Sequence, residues 1–181
     1  MKIYLVTRNT GKLMAAQSVF STAPAVELLT VEEDYPEIQA DTSLEIARYT
    51  ALQVAKELNT PAIREDHSFF LNAIKAPGPY MSYFNKVVTA EMLLALLSGF
   101  TDRTGYFEVA TVYAEPNGST KEYVFQVPFS IVESTRGDLQ TGWNQLIQLD
   151  GSSLTLAEYP ETERTNIWNK NFSALAADLA S

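Results

Sequence analysis

Residues 105–129 read GYFEVATVYAEPNGSTKEYVFQVPF. Two strand-like runs, Gly105 to Ala114 and Thr120 to Phe129, flank Glu115-Pro116-Asn117-Gly118-Ser119. Asn-Gly between alternating apolar runs is a strong hairpin signal. Tyr123, Phe125, Val127 and Phe129 fall on every second position, so one face of the second strand is expected to be buried. A long hairpin rules out a purely parallel sheet, which needs a crossover between neighbouring strands.

The N-terminal half has a different rhythm. Residues 2–6 read as a buried strand, Lys12 to Phe20 as a helix with Asn9 or Thr10 as its N-cap, and Val26 to Val31 as a second strand. Thr42-Ser43-Leu44-Glu45 has capping-box spacing, and Leu44, Ala47, Ala51, Val54, Ala55 and Leu58 then share one helical face. Pro61 to Arg64 reads as a short strand closed by Glu65-Asp66, Pro77-Gly78-Pro79-Tyr80 as a rigid turn, and Thr89 to Leu97 and Asn171 to Leu179 as helices. Helices alternating with strands early and a hairpin late predict a mixed α/β fold in a single domain, residues 1–181.

Composition narrows the chemistry. A net charge of −9 would repel a nucleic-acid polymer or an anionic membrane, but leaves room for a small anion held locally. Without cysteine there is no disulfide framework, thiolate zinc site or cysteine nucleophile, and a single histidine, His67, excludes a multi-histidine metal centre. No run approaches the ~20 apolar residues of a membrane span, and MKIYLVTRN turns polar too early for a signal peptide, so a cytoplasmic protein is expected. The sequons at Asn117 and Asn171 are read as chance matches.

Two clusters could carry chemistry. TRNTGKL, residues 7–13, follows the first strand. A P-loop needs a glycine five residues before the Gly-Lys pair and a hydroxyl residue after it; Val6 and Leu13 stand there instead. What remains is Thr7, Asn9 and Lys12 on a turn that opens a helix, whose free N–H groups suit phosphate oxygens. Taken alone, these residues favour an ordinary capped turn with a solvated lysine, since caps of this kind are common. The second cluster is acidic: Glu37 in a loop and the pair Glu65-Asp66. Oxygen ligands alone point to magnesium, which typically bridges one or two carboxylates to substrate phosphates; the alternative is solvated acids in an acidic protein.

These residues belong to an ordered series: Thr7-x-Asn9-x-x-Lys12, Pro36-Glu37-Ile38-Gln39, Glu65-Asp66-x-Ser68 with Leu71-Asn72-Ala73, and Pro77-Gly78-Pro79-Tyr80. Leu96-Leu97-x-Gly99-Phe100, Asp102-Arg103, Arg136-Gly137, Gly142-Trp143 and Ala157-Glu158 complete it. In this order and spacing, over nearly the whole chain, it resembles the inosine triphosphate pyrophosphatase family. The resemblance implies an elongated mixed sheet flanked by helices, two lobes with a central cleft, and a homodimer. It also implies magnesium-dependent hydrolysis of a non-canonical nucleoside triphosphate to monophosphate and pyrophosphate. Thr7, Asn9 and Lys12 would then hold triphosphate oxygens, with Ser68 in the nucleotide-binding set. Glu37, Glu65 and Asp66 would hold the metal, and Asp66 would orient or deprotonate the attacking water.

The chain departs from the family at the base-reading end. Thr50 stands where the family has a lysine on the second helix, with Arg48 as a substitute if the register slips. Thr141-Gly142-Trp143-Asn144-Gln145 replaces an aromatic-Gly-aromatic-Asp-Pro pattern, and Arg164-Thr165 and Trp168-Asn169-Lys170 replace the residues that read the purine. Trp143, Asn144, Arg164, Trp168, Asn169 and Lys170 are therefore candidates for a rebuilt pocket; alternatively, the two tryptophans are core residues. No catalytic role is assigned to His67. The expectation is a pyrophosphatase with altered base recognition. Its alternatives are a catalytically weak nucleotide-binding protein on the same fold and a hydrolase of another phosphate ester.

Overall fold

The computed structural model describes residues 1–31, 33 and 35–180. The described residues form six helices and one mixed sheet of seven strands. The order along the chain is β1 (Lys2–Leu5), α1 (Thr10–Phe20), β2 (Glu27–Thr30), α2 (Ser43–Leu58), β3 (Ala62–Leu71), β4 (Ala76–Gly78), α3 (Met81–Val87) and α4 (Ala90–Leu97). It continues with β5 (Thr104–Ala114), β6 (Thr120–Ile131), β7 (Ile147–Leu149), α5 (Glu161–Ile167) and α6 (Lys170–Ala180). The strand order is β2-β1-β3-β5-β6-β7, with β4 paired to β3. β1 runs parallel to both β2 and β3, and a helix makes each return: α1 between β1 and β2, α2 between β2 and β3. β4 and β7 are antiparallel to β3 and β6, which makes the sheet mixed.

The chain divides into two compact units. The first comprises residues 1–66, 109–125 and 165–181. β1 and β3 carry packed apolar residues on both faces, and the period of two sorts their side chains. Ile3, Leu5 and Ile63 face α1 and α6 in a cluster with Ala16, Phe20, Tyr113, Phe172 and Leu175. Phe20 meets Phe172 edge to face at 6.4 Å. Val6 and Ala62 fall on the other face, in a cluster with Ala47, Ala51, Val54 and Ala55 of α2. α2 starts where its sequence says it should. Thr42 caps it, accepting the Glu45 N–H at 3.2 Å, while the Glu45 carboxylate accepts the Thr42 N–H in return.

The second unit comprises residues 67–108 and 126–164. Its centre is aromatic: Phe69 stacks on Phe129 with ring centroids 4.6 Å apart and meets Phe107 and Trp143 at 5.1 Å each. Gly105 is needed here for lack of a side chain, since a Cβ would stand 2.3 Å from the Phe70 carbonyl oxygen.

The structure corrects the sequence reading in four places. Glu65 and Asp66 do not close a short strand: β3 continues to Leu71, because Phe69 and Leu71 are buried in the aromatic centre and residues 69–71 pair with β4. Part of the Pro77-Gly78-Pro79-Tyr80 turn belongs to that pairing strand. The short elements β4, β7, α3 and α5 carry no strong periodicity, and none was expected. Arg48, the possible stand-in for a lysine at position 50, is spent on Glu122, donating at 2.6 and 2.9 Å.

Thr50 lies on the buried face of α2, fully covered, and its hydroxyl has no hydrogen-bond partner among the described residues. A buried, unpaired hydroxyl costs its desolvation without return. Thr50→Val is therefore expected to raise the unfolding free energy by about 1 kcal/mol, read as a higher urea midpoint at unchanged slope. A lower midpoint would mean that the hydroxyl is used.

Candidate active site

The turn after β1 is built from its own side chains. Asn9 is extended (φ −79°, ψ 113°), and its Oδ1 accepts the N–H groups of Gly11 at 2.9 Å and Lys12 at 3.2 Å, which starts α1. Thr7 Oγ1 accepts the Asn9 N–H at 3.1 Å. Both oxygens therefore close the turn, and it is Lys12 that leaves it. The residue is half-buried, and its Nζ donates to the Glu65 carbonyl oxygen at 2.8 Å. Burial lowers its pKa from the usual lysine value; Asp66, then Glu65, pull it back up, Arg64 lowers it, and Glu37 raises it. One ammonium thus senses all three candidate carboxylates.

β3 distributes these groups by alternation. Glu65 follows Ile63 onto one face and is 1 % exposed, its Oε2 accepting the Thr111 hydroxyl at 2.8 Å. Behind Thr111 lies Asn171 of α6, also buried, whose Nδ2 lies within hydrogen-bond distance of Thr111 Oγ1 (3.1 Å), the Val109 carbonyl (3.0 Å) and the Tyr123 carbonyl (3.1 Å). Arg64 and Asp66 fall on the other face. Arg64 donates to the Val6 carbonyl at 2.9 Å and to the Glu37 carboxylate, tying the loop before α2 to the end of β1. The Asp66 Oδ2 is buried with no hydrogen-bond partner among the described residues. A buried, unpaired acceptor beside a desolvated lysine is costly in a protein that only has to fold.

These positions test the fit of a magnesium ion. Among the described residues, no three of His, Cys, Asp and Glu come together closely enough to hold a metal by themselves. Magnesium does not ask for a complete protein cage: one or two carboxylates with water and phosphate oxygens suffice. The free oxygen of Asp66 is a hard donor of that kind, so the residues fit the ion when a polyphosphate completes its shell.

Sequence reading missed Arg64, Thr111 and Asn171. Each left a signal: a charged residue inside a short strand, a hydroxyl inside an apolar one, and an asparagine at the start of a buried helix face. Asn171 is 3 % exposed, which closes its sequon to modification in the folded protein.

A model of the Ham1 family matches residues 3–177. The chain belongs to that family. The resemblance read from the ordered motifs is borne out, and Ham1 structures share the fold. A Ham1 protein from Coxiella burnetii superposes with a TM-score of 0.85 at 22% identity, covering 99% of this chain and 98% of its own. The Staphylococcus aureus Ham1 protein gives 0.82 at 22%. Among sequence relatives, the "dITP/XTP pyrophosphatase" of Methanopyrus kandleri is 33% identical over 92% of this chain and 89% of its own. "Inosine triphosphate pyrophosphatase 2" of Trypanosoma cruzi is 32% identical over 92% and 85%.

Against this Ham1 background, each of the six candidate base-reading residues has a partner within its own unit. Trp143 is 3 % exposed and its indole N–H donates to the Val88 carbonyl at 2.9 Å. Asn144 donates to the Thr141 carbonyl at 2.7 Å and Arg164 to the Tyr159 carbonyl at 2.6 Å. Trp168 packs on the α1–α6 cluster, Asn169 Nδ2 lies 3.5 Å from Ser18 Oγ, and the Lys170 ammonium sits 5.3 Å from the Phe125 ring centroid. Ser68 is fully buried on β3. Among the described residues no helix is long and apolar enough to cross a membrane.

Proposed function

We propose that this Ham1-family chain is a magnesium-dependent nucleoside triphosphate pyrophosphatase that releases monophosphate and pyrophosphate, with a base preference altered from that of its relatives. One observation carries the reading: the unpartnered buried oxygen of Asp66 beside the desolvated ammonium of Lys12, at the turn that opens α1. The names of the relatives support it. Thr7 and Asn9 close the turn on its own N–H groups and so fix the start of α1, from which Lys12 meets phosphate oxygens. Asp66 accepts a hydrogen bond from the attacking water and takes its proton, as the new phosphorus–oxygen bond forms and the bridge between α- and β-phosphoryl groups breaks. Lys12 offsets charge on the oxygens of the departing pyrophosphate. Magnesium, held at Asp66 with the Glu37 carboxylate available to it, would neutralise phosphoryl charge when bound; Glu65, on the opposite face of β3 against Thr111, would add its charge without being a ligand.

The altered base preference rests on the sequence departures at Trp143, Asn144 and Arg164 in the second unit and at Trp168, Asn169 and Lys170 in the first. A site built to hydrogen-bond one base rejects others by ~10⁴-fold, and such discrimination goes when its donors change. A second reading, a nucleotide-binding protein with little turnover, draws on the internal partners of those six residues and on Thr50. Pyrophosphate release with magnesium across canonical, deaminated and modified nucleoside triphosphates separates the two. Release from any of them supports the pyrophosphatase; binding without turnover throughout favours the second. The homodimer and the cytoplasmic setting expected from the sequence belong to the same proposal, the former tested by static light scattering.

A further inference from the structure

We infer that Arg64 is a resident cation that withholds Glu37 from a free divalent metal, so that the metal enters the site together with the polyphosphate. The inference rests on the metal reading proposed above and says how that site is regulated. The guanidinium is held on two sides, by the Val6 carbonyl and by the Glu37 carboxylate, and its side chain is only 12% exposed against 57% for Glu37. Glu37 is therefore an outward-facing carboxylate whose inner oxygen is already matched by a fixed charge.

The charge balance around the Lys12 ammonium makes the same point. Glu37, Glu65 and Asp66 bring three formal negative charges; Lys12 and Arg64 bring two positive ones, and the other four all act on the Lys12 ammonium. One formal negative charge remains to attract a dication, and Glu65 is turned toward Thr111. Like charges repel at short range, so a free metal ion beside Arg64 and Lys12 binds weakly. A polyphosphate reverses the balance: its negative charges offset Lys12 and Arg64, and its oxygens complete the shell that the chain leaves short.

Mn²⁺ as the probe, followed by water-proton relaxation enhancement, tests this without turnover, because the method separates protein-bound metal from metal on free nucleotide. The wild type is expected to bind Mn²⁺ weakly alone, and to form a strongly enhanced complex with the α,β-methylene analogue of inosine triphosphate. Arg64→Met is expected to tighten nucleotide-free Mn²⁺ binding roughly 10-fold or more, the size of a removed like-charge contact. The double variant Arg64→Met/Glu37→Gln should lose that gain, since Glu37 is the carboxylate set free. Arg64→Lys keeps the charge and should keep the weak wild-type affinity, and it guards against misfolding of the methionine variant. Unchanged or weaker binding in Arg64→Met, with enhancement by the analogue intact in the wild type, overturns the role of Arg64 and leaves the metal site standing. No enhancement in any variant, with or without the analogue, overturns both.

Discussion

Asp66→Asn lowers magnesium-dependent pyrophosphate release roughly 100-fold or more while the far-ultraviolet circular dichroism stays that of the wild type. The substitution keeps the shape of the side chain and removes its charge and its basicity. In the folded protein the Oδ2 atom is buried and unpartnered. An oxygen in that position has been taken out of water without receiving a donor, and a donor must come from a ligand if the arrangement is to have a use. An attacking water or a hydrated metal ion supplies one. The asparagine amide either presents an N–H₂ where an acceptor is needed, or turns its oxygen there without the negative charge that a departing proton requires. The loss from the nucleophile should appear in kcat, and a rise in KM beside it would report the share of the same carboxylate in holding the metal on the bound tail. Activity within threefold of the wild type would move the reaction centre away from β3.

Lys12→Met is the second large effect: kcat/KM is expected to fall roughly 100-fold or more, because a desolvated positive charge at the phosphate turn is lost where it counts most. Lys12→Arg separates charge from geometry through pH. Burial lowers the pKa of Lys12 below its ordinary 10.5, outweighing the carboxylates that pull it up. The ammonium form of the free protein is thus lost earlier on the alkaline side than that of an exposed lysine, and the alkaline limb of kcat/KM should fall with a midpoint below 10.5. Arginine stays charged, so in Lys12→Arg that limb should move beyond the range of the assay even if the maximum is reduced. The sign for stability is opposite to that for activity. A base with a depressed folded pKa binds its proton more tightly when unfolded. Its contribution to stability is therefore greatest above 10.5 and is lost as pH falls through the lowered value. The same group loses function over the window in which it gains stability. A limb unaltered by Lys12→Arg would assign it to another residue.

Much of this site was legible in the sequence, and the reason is local. The Asn9 cap, the Thr42–Glu45 capping box and the hairpin at Asn117-Gly118 are each fixed by side chains a few residues apart, so spacing alone reveals them. Lys12 and the Glu65-Asp66 pair stand out as candidates because charged residues beside strands and turns do, whereas Glu37 becomes one through the resemblance. What stayed hidden depends on contacts distant in sequence. The pairing of residues 69–71 with β4 lengthens β3 and moves the acidic pair from the end of a strand to its middle. There, alternation sends Glu65 and Asp66 to opposite faces, which no spacing of adjacent carboxylates can express. Arg64 was passed over because its meaning lies in Glu37, 27 residues away, and Asn171 because its partners are on β5 and β6.

The bond from the Lys12 ammonium to the Glu65 carbonyl has a consequence for ionic strength. A lysine on the surface is surrounded by counterions, and added salt weakens its pull on an incoming anion. Here folding has removed part of that water and set the ammonium against a carbonyl, and a partly buried charge is screened less than an exposed one. The affinity of this turn for a phosphate tail should therefore fall less with added salt than that of an exposed lysine would.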